Sequence, residues 1–179
     1  MRKGTLIILL LFFSVNAFAQ WKSFYPEKNK KQKENKNKKT QDTKGQFDNY
    51  FFLGLQAKAL ENYVEALEFF NKCIDINNNE PEPFYQSAII NQQLGNYSLS
   101  IEQIKKANNL KQDNRWYIIT YAELLFSTQD YKNAAIQYKR IIDIEPSNEQ
   151  HYFMLSDTYI YNNEFKKAIK VYDDLEKIK

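Results

Sequence analysis

The side chains that most often carry out catalysis are scarce in this chain and far apart. The sequence contains one His, His151, and one Cys, Cys73. A nucleophile activated by His, or a metal held by several His, Cys and carboxylate ligands, needs its groups within a few ångströms. No spacing in the sequence brings such a set together, so we expect no catalytic site, no metal site and no cofactor.

The same residues fit structural roles. His151 falls at the start of a predicted helix, where a lone His is expected to be a solvated surface residue, and Cys73 falls in an apolar column and is expected to be a small core residue. The adjacent carboxylates Asp173 and Asp174 point in different directions on a helix. The four glycines, at positions 4, 45, 54 and 95, form no phosphate-binding loop. The sequence therefore predicts a protein that is not an enzyme.

The N-terminus has the pattern of a secretory signal peptide. Arg2 and Lys3 precede an apolar run over residues 6–13, and Ala17-Phe18-Ala19 follows as a cleavage site of small residues around one large one. The apolar run is much shorter than the ~20 residues of a membrane-spanning helix, so we predict a signal peptide over residues 1–19, with an uncleaved anchor as the alternative. We expect an exported protein, periplasmic or alternatively secreted outside the cell.

Residues 20–46 are predicted to form a disordered linker rich in Lys and Asn. The stretch 28–44 contains eight Lys, Glu34, Asp42 and no apolar residue, so nothing in it offsets the entropy lost on ordering. It carries a net charge of +6, against −5 for residues 45–179. The Lys run is either a solubilising tether or a weak contact with an anionic surface. Without aromatic residues to stack on bases, it is not expected to bind nucleic acid.

From residue 47 onward the sequence repeats every 34 residues without a gap. A polar residue followed by an aromatic recurs at Asn62-Tyr63, Asn96-Tyr97, Asp130-Tyr131 and Glu164-Phe165. Two columns hold only small residues: Gly54, Ala88, Ala122 and Ser156, and then Ala66, Ser100, Ala134 and Ala168. A third column holds large residues: Phe70, Ile104, Tyr138 and Tyr172. A fixed period of this length is typical of a stacked helical array.

Each unit is predicted to contain two helices, at about repeat positions 2–14 and 18–30, joined by a short polar turn. The small columns fall where the two helices cross, so they let the backbones approach. The large column on the second helix faces the next hairpin. Because one hairpin cannot bury both of its apolar faces, the core must form between neighbouring hairpins.

The columns resemble the tetratricopeptide repeat family. Its pattern of a large residue at position 4, small residues at 8 and 20 and an aromatic at 17 is matched by four units, 47–80, 81–114, 115–148 and 149–179. The family's aromatic at position 24 is present in three of them, and its small residue at position 27 in the first two. The resemblance implies an all-α fold, a right-handed α-solenoid of four antiparallel helix-turn-helix repeats over residues 47–179. The chain departs from the family pattern at Asn78 and Gln112, where Pro is usual, and at Asn91, where a large aromatic is usual.

The resemblance also implies a ligand groove lined by the first helix of each repeat. The family's groove columns correspond here to Phe51, Leu55, Tyr85, Ile89, Trp116, Ile119, Glu123, Phe126, Phe153 and Asp157. The Lys, Asn and Arg side chains with which some members clamp a C-terminal carboxylate are absent from these columns. We therefore expect an apolar or aromatic peptide or helix as the ligand. The alternative is that several of these aromatics pack internally.

The last repeat offers a second surface. Its second helix carries an apolar face that includes Tyr172, Leu175 and Ile178, and no further hairpin follows to cover it. Terminal repeats usually need a polar outer face. We expect a homodimer through this face, coverage by a partner, or a chain that is a fragment of a longer array.

Together these features predict an exported scaffold for protein–protein interaction, within an envelope or secretion assembly, whose partner is a protein or peptide. The alternative is a structural tether. In that case the basic linker 28–44 contacts an anionic envelope surface, and the repeats associate with one another through the C-terminal repeat.

Overall fold

The computed structural model describes residues 28–177, with side chains from residue 42 onward. Within this range the chain forms eight α-helices: α1 (Lys28–Ala59), α2 (Tyr63–Ile76), α3 (Pro81–Gln93), α4 (Tyr97–Leu110), α5 (Arg115–Ser127), α6 (Tyr131–Ile144), α7 (Glu149–Tyr161) and α8 (Phe165–Glu176). The described residues contain no strand. The predicted signal peptide, residues 20–27 and Ile178 lie outside the described residues.

The first helix begins much earlier than the sequence predicts. Residues 28–46, predicted to be disordered, are helical and belong to α1, which is 32 residues long. Lys, Gln and Glu favour helix, and the stretch contains no Pro. A helix already nucleated at the first repeat also lengthens without a new nucleation cost. None of the helices between residues 28 and 177 is both long and apolar enough to cross a membrane.

The chain divides after Gln46 into two units, and the second unit, from Phe47 onward, contains the repeats. There, the starts of α2 to α8 and the C-terminal ends of α1 to α7 all fall within one residue of the predicted repeat positions, and α8 ends two residues early. The last part of α1 pairs with α2, and the other repeats are α3–α4, α5–α6 and α7–α8. The predicted all-α helical repeat is therefore confirmed.

A left-handed residue at repeat position 15 makes each turn between paired helices. Glu61, Gly95, Gln129 and Asn163 occupy that position, with φ of 59°, 76°, 64° and 58°. The turns share one hydrogen-bond pattern: in the third repeat Gln129 N–H donates to the Phe126 carbonyl (3.0 Å) and Asp130 N–H to the Leu125 carbonyl (2.8 Å). This pair of bonds is the Schellman motif, which satisfies the last carbonyls of the first helix. Four identical turns fix the 34-residue period.

The small columns lie where paired helices cross, as predicted. A Cβ placed on Gly54 would lie 2.7 Å from Cε1 of Phe70, a fully buried ring, so a larger residue there would force the helices apart. In the second repeat the Ser100 hydroxyl donates to the Ala88 carbonyl on the paired helix, at 2.7 Å. The close approach of the helices therefore depends on side chains no larger than Ser in both columns.

The core lies mainly between repeats. Ile90 of the second repeat packs among Ala57, Ala66 and Phe70 of the first. Tyr117 and Leu124 of the third repeat join a cluster formed mainly by the second. A third cluster unites buried residues of the last two repeats. Each first helix is thus fixed by the hairpin before it, which leaves its opposite face available to form a surface.

The left-handed turns yield a stability prediction. A non-glycine residue pays about 1–2 kcal/mol for this conformation, so Gln129→Gly should raise the urea midpoint and add about 1 kcal/mol to the free energy of unfolding. Gly95→Ala should lower the free energy of unfolding by a similar amount. Asn163→Gly is the matched control and should change stability less, because Asn tolerates this conformation. Equal effects of Gln129→Gly and Asn163→Gly would contradict the account.

Candidate binding groove

The first helices of the four repeats carry the predicted ligand residues on one face. Repeat positions 2, 5, 9 and 12 are three or four residues apart and so lie on one side of each helix. None of the ten predicted groove residues is buried. Trp116 is 57% exposed, and Leu55 and Phe153 are exposed as well. We call the surface made by residues 47–59, α3, α5 and α7 the groove.

Part of the predicted set also packs internally. The Phe51 ring lies 5.7 Å from the Phe70 ring, and the Tyr85 ring lies 4.8 Å from the Tyr117 ring. Ile119 and Phe126 rest against the core of the last two repeats. These four side chains therefore pack internally in part, as the alternative interpretation expects. Trp116 is the most exposed aromatic residue of the predicted set.

Hydrogen bonds link the first helices of repeats one, two and three. The Lys58 ammonium donates to Gln86 Oε1 (2.6 Å), and Gln86 Nε2 donates to Glu82 Oε1 (2.9 Å). The Tyr117 hydroxyl donates to Glu82 Oε2 (2.6 Å). We call Lys58, Gln86, Glu82 and Tyr117 the polar chain. The repeat pattern does not predict it, because its members occupy four different repeat positions.

Two members of the polar chain, Tyr117 and Lys58, have shifted pKa values. Burial, and then the hydrogen bond to Glu82, raise the pKa of Tyr117. Burial lowers the pKa of Lys58, and the charge of Glu82 opposes that change. In the N-terminal half of the groove, Lys58 and Glu82 are therefore both hydrogen-bonded within the polar chain. The contacts that remain there for a ligand are mainly apolar.

Three aromatic rings meet at the groove's C-terminal half. Phe126 and Tyr161 meet edge to face with ring centres 5.3 Å apart. Tyr131 lies 5.4 Å from Phe126 and stacks on Tyr161 at 5.7 Å. We call these three residues the aromatic cluster. It brings side chains from α5, α6 and α7 together across the junction of repeats three and four.

His151 lies at this junction and is not the solvated residue that the sequence predicts. It is 6% exposed, with its Nε2 2.9 Å from Glu145 Oε2 and 3.0 Å from the Asn148 amide. Glu145 also pairs with Arg115 at 2.8 Å. The bond to His151, followed by Asn148 and Arg115, lowers the pKa of Glu145. The turn before α7 folds back over the His ring, which explains the burial.

The same ion pair positions the exposed Trp of the groove. The Arg115 guanidinium lies 4.8 Å from the centre of the Trp116 ring, a cation–π contact. Since the guanidinium also pairs with Glu145, the Trp116 ring is oriented without being buried. Arg115 was absent from the predicted groove residues, although it directly precedes Trp116.

The chain's one Cys has the environment of a core residue. Cys73 is buried, and its thiol donates to the Phe47 carbonyl at 3.6 Å. Burial raises its pKa to about 11, so at neutral pH it is a thiol rather than a nucleophilic thiolate. Within residues 28–177, no three His, Cys, Asp or Glu side chains are placed to share a metal ion.

A second concavity lies between α6 and α8. Its volume is about 470 Å³, and its walls include Tyr152, Leu155 and Tyr159. The ammonium groups of Lys139 and Lys167 both lie over the Tyr159 ring, at 5.6 and 5.4 Å, and Lys167 pairs with Glu164. Two of the three Lys side chains at this concavity, those of Lys139 and Lys167, therefore already have partners, which weakens it as an anion site.

The last helix exposes apolar side chains, and the column of one of them, Tyr172, is covered in the other repeats. Tyr172 is 40% exposed, whereas Phe70, Ile104 and Tyr138 in the same column are at most 3% exposed. Phe165 and Ile169 are exposed beside it, and we call these three residues the open face. Leu175, predicted to lie on this face, is instead buried, because it packs against the core of the last two repeats.

Comparison with known proteins finds a similarity to one family. The family described as tetratricopeptide repeat matches residues 47–80 and 150–179. The small glutamine-rich tetratricopeptide repeat-containing protein 2 of Mycosarcoma maydis is 28% identical over 96 residues. That match covers 54% of this chain and 27% of the relative, so the chain spans about a quarter of that protein's length.

Solved structures share the fold. MamA from Desulfovibrio magneticus RS-1 aligns with a TM-score of 0.65 at 20% identity, over 74% of this chain and 75% of that one. YrrB, described as a TPR protein with an unusual peptide-binding site, aligns with a TM-score of 0.62 at 19% identity, over 73% of this chain and 67% of that one. At these identities the similarity supports the fold.

The polar chain yields the prediction for this site. Tyr117→Phe removes the donor to Glu82 and should lower the free energy of unfolding by about 1–2 kcal/mol, as expected for a bond to a charged acceptor. Tyr97→Phe is the control, since the exposed Tyr97 hydroxyl bonds to no other described residue. Urea unfolding followed by circular dichroism compares the two. If both variants unfold with the wild-type midpoint, the polar chain contributes nothing to stability.

Proposed function

We propose that this chain, a tetratricopeptide repeat protein, is a non-catalytic scaffold whose groove binds an apolar and aromatic segment of a partner protein. The observation that carries the proposal is Trp116, held by Arg115 but left 57% exposed on the groove. A large aromatic ring that is oriented and still accessible is typical of a binding hot spot.

The neighbours of Trp116 support the same function. Leu55 and Phe153 are exposed on the same groove, and Tyr85 is half-buried between them. Large apolar side chains on one surface favour burial by a partner, at roughly 25 cal/mol per Å² removed from water. The description of YrrB as a protein with a peptide-binding site agrees with a ligand of this kind, as a point of similarity between the two folds.

We further propose where the scaffold works. The charged start, short apolar run and Ala17-Phe18-Ala19 of the N-terminus support export. An exported chain made largely of helical repeats suits an assembly of the cell envelope or a secretion system, in the periplasm or outside the cell.

A second candidate function, the structural tether, is favoured by the open face. Here the basic stretch 28–44 contacts an anionic envelope surface, and two copies associate through Phe165, Ile169 and Tyr172. The 40% exposure of Tyr172, in a column otherwise at most 3% exposed, supports the association. The open face adjoins the groove, since the Tyr172 ring lies 6.3 Å from the ring of the groove residue Phe153.

The scaffold function predicts the loss of partners when Trp116 is truncated. Crosslinking of the full chain in its native cells should yield a partner set that Trp116→Ala abolishes, because truncating a central aromatic anchor typically weakens binding by ~2 kcal/mol or more. The control is Ile136→Ala, a truncation of an exposed apolar side chain on α6. Circular dichroism should show unchanged helicity in both variants. The same partner set with Trp116→Ala as with the wild type would reject the groove.

The tether function predicts that the purified chain is a dimer. Light scattering of the purified chain should give twice the monomer mass, and Ile169→Glu should return it to the monomer, because a charge buried in an apolar interface is strongly unfavourable. Leu99→Glu, at an exposed position on α4, is the matched control. A wild-type chain that stays monomeric at tens of micromolar would remove this candidate.

A further inference from the structure

The groove's C-terminal half contains two carboxylates without a partner. Glu123 on α5 and Asp157 on α7 occupy position 9 of repeats three and four, and we call them the acidic pair. Neither side chain forms a hydrogen bond or ion pair with another described residue. By contrast, Glu82 lies in the polar chain and Glu145 pairs with Arg115.

A tyrosine side chain faces the charges of the acidic pair. Tyr138 is 3% exposed, and burial, followed by the negative charges of Glu123 and Asp157, raises its pKa. Its hydroxyl forms no hydrogen bond with another described residue. Among the described residues, the buried side-chain atoms without a partner are Ser87 Oγ, Gln103 Oε1 and Asn108 Oδ1, so the Tyr138 hydroxyl is not sealed from solvent and can bond with an atom of a ligand.

The aromatic cluster adjoins the acidic pair. Phe126 follows Glu123 by three residues on α5, and Tyr161 follows Asp157 by four residues on α7, so each ring lies about one turn from a carboxylate. Ring faces attract cations, and their edges pack against methylene groups. Carboxylates beside aromatic rings are therefore complementary to a side chain with a long apolar stem and a positive end.

We propose that the acidic pair, the Tyr138 hydroxyl and the aromatic cluster bind a Lys or Arg side chain of the partner segment. This proposal rests on the scaffold function and assigns the chemistry of one part of its ligand. The cation pairs with Glu123 and Asp157 and donates to Tyr138, while its stem packs on the rings. Apolar residues of the same segment occupy the surface around Trp116.

Electrostatics favour this occupant. Glu123 is exposed, and desolvation by the surrounding protein still raises the pKa of its carboxyl group, so a cation beside it favours the charged form. Residues 45–179 have a net charge of −5, which attracts basic segments over longer distances. The chain's own Lys run, 28–44, has no apolar residue to occupy the rest of the groove, which argues for a partner's segment.

A random twelve-residue peptide library displayed on phage provides a test that needs no known partner. Peptides selected on the full chain should be enriched in aromatic residues together with Lys or Arg. On Glu123→Gln/Asp157→Asn the basic enrichment should disappear and the aromatic enrichment remain. The control Asp143→Asn/Asp173→Asn removes the same charge from two exposed acids outside the groove and should select like the wild type.

The outcomes separate this inference from the scaffold function. Selection on Trp116→Ala should lose the aromatic enrichment, and if it does not, the groove itself is wrong. Two outcomes would overturn the inference but leave the scaffold function standing. In one, the wild type selects aromatic residues without basic ones. In the other, the basic enrichment survives Glu123→Gln/Asp157→Asn. Basic enrichment that the Asp143→Asn/Asp173→Asn control also loses would indicate general charge attraction, and it would overturn the inference too.

Calorimetry with one selected peptide then measures the pairing. Replacing its basic residue by norleucine should weaken binding to the wild type by about tenfold or more, as expected for a charge-assisted hydrogen bond. The same replacement should change binding to Glu123→Gln/Asp157→Asn by less than about twofold, since the partner of the cation is gone. Equal losses on both proteins would show that the basic residue binds elsewhere.

Discussion

The structure depends on the fact that a single repeat cannot bury its own apolar surface. Ile90 of the second repeat packs into the core of the first repeat. Tyr117 and Leu124 of the third repeat pack into the core of the second. This constraint orders the first helices side by side with one face turned inward, so their other faces form the groove. It also explains the open face, because Tyr172 occupies a column that in the other repeats is covered by the next hairpin.

The parts of the fold that follow from local spacing could be predicted from the sequence. The two small columns and the large column predicted where helices cross and where the core forms, and the helix ends followed the repeat. The left-handed turns were less visible, because Glu61 and Gln129 occupy positions where only Gly95 and Asn163 carry the usual sequence signal. The helix over residues 28–46 was missed because a search for apolar residues ignores how easily an existing helix lengthens.

The groove could be predicted as a set of positions but not as a set of interactions. Ten positions followed from the resemblance, and all of them are accessible to some degree. The polar chain joins Lys58 to Tyr117 across 59 positions of sequence, and no repeating column carries it. His151 is buried by Glu145 and Asn148, six and three residues before it, because the turn that brings these side chains together depends on the packing of α7.

The two halves of the groove differ in how their charges are satisfied, and this difference suggests how a ligand would be selected. Around Glu82 the charges are paired within the chain, so contacts there are mainly apolar and bind many sequences with similar strength. Around Glu123 and Asp157 the carboxylates lack internal partners, so a ligand without a positive charge leaves them unpaired beside aromatic rings. If the ligand binds as proposed, apolar contacts supply most of the affinity, while the acidic pair sets the register and direction of the bound segment, since a misplaced cation loses both carboxylates at once. The ligand then takes one orientation, because the acidic pair and the aromatic cluster both lie in the C-terminal half of the groove.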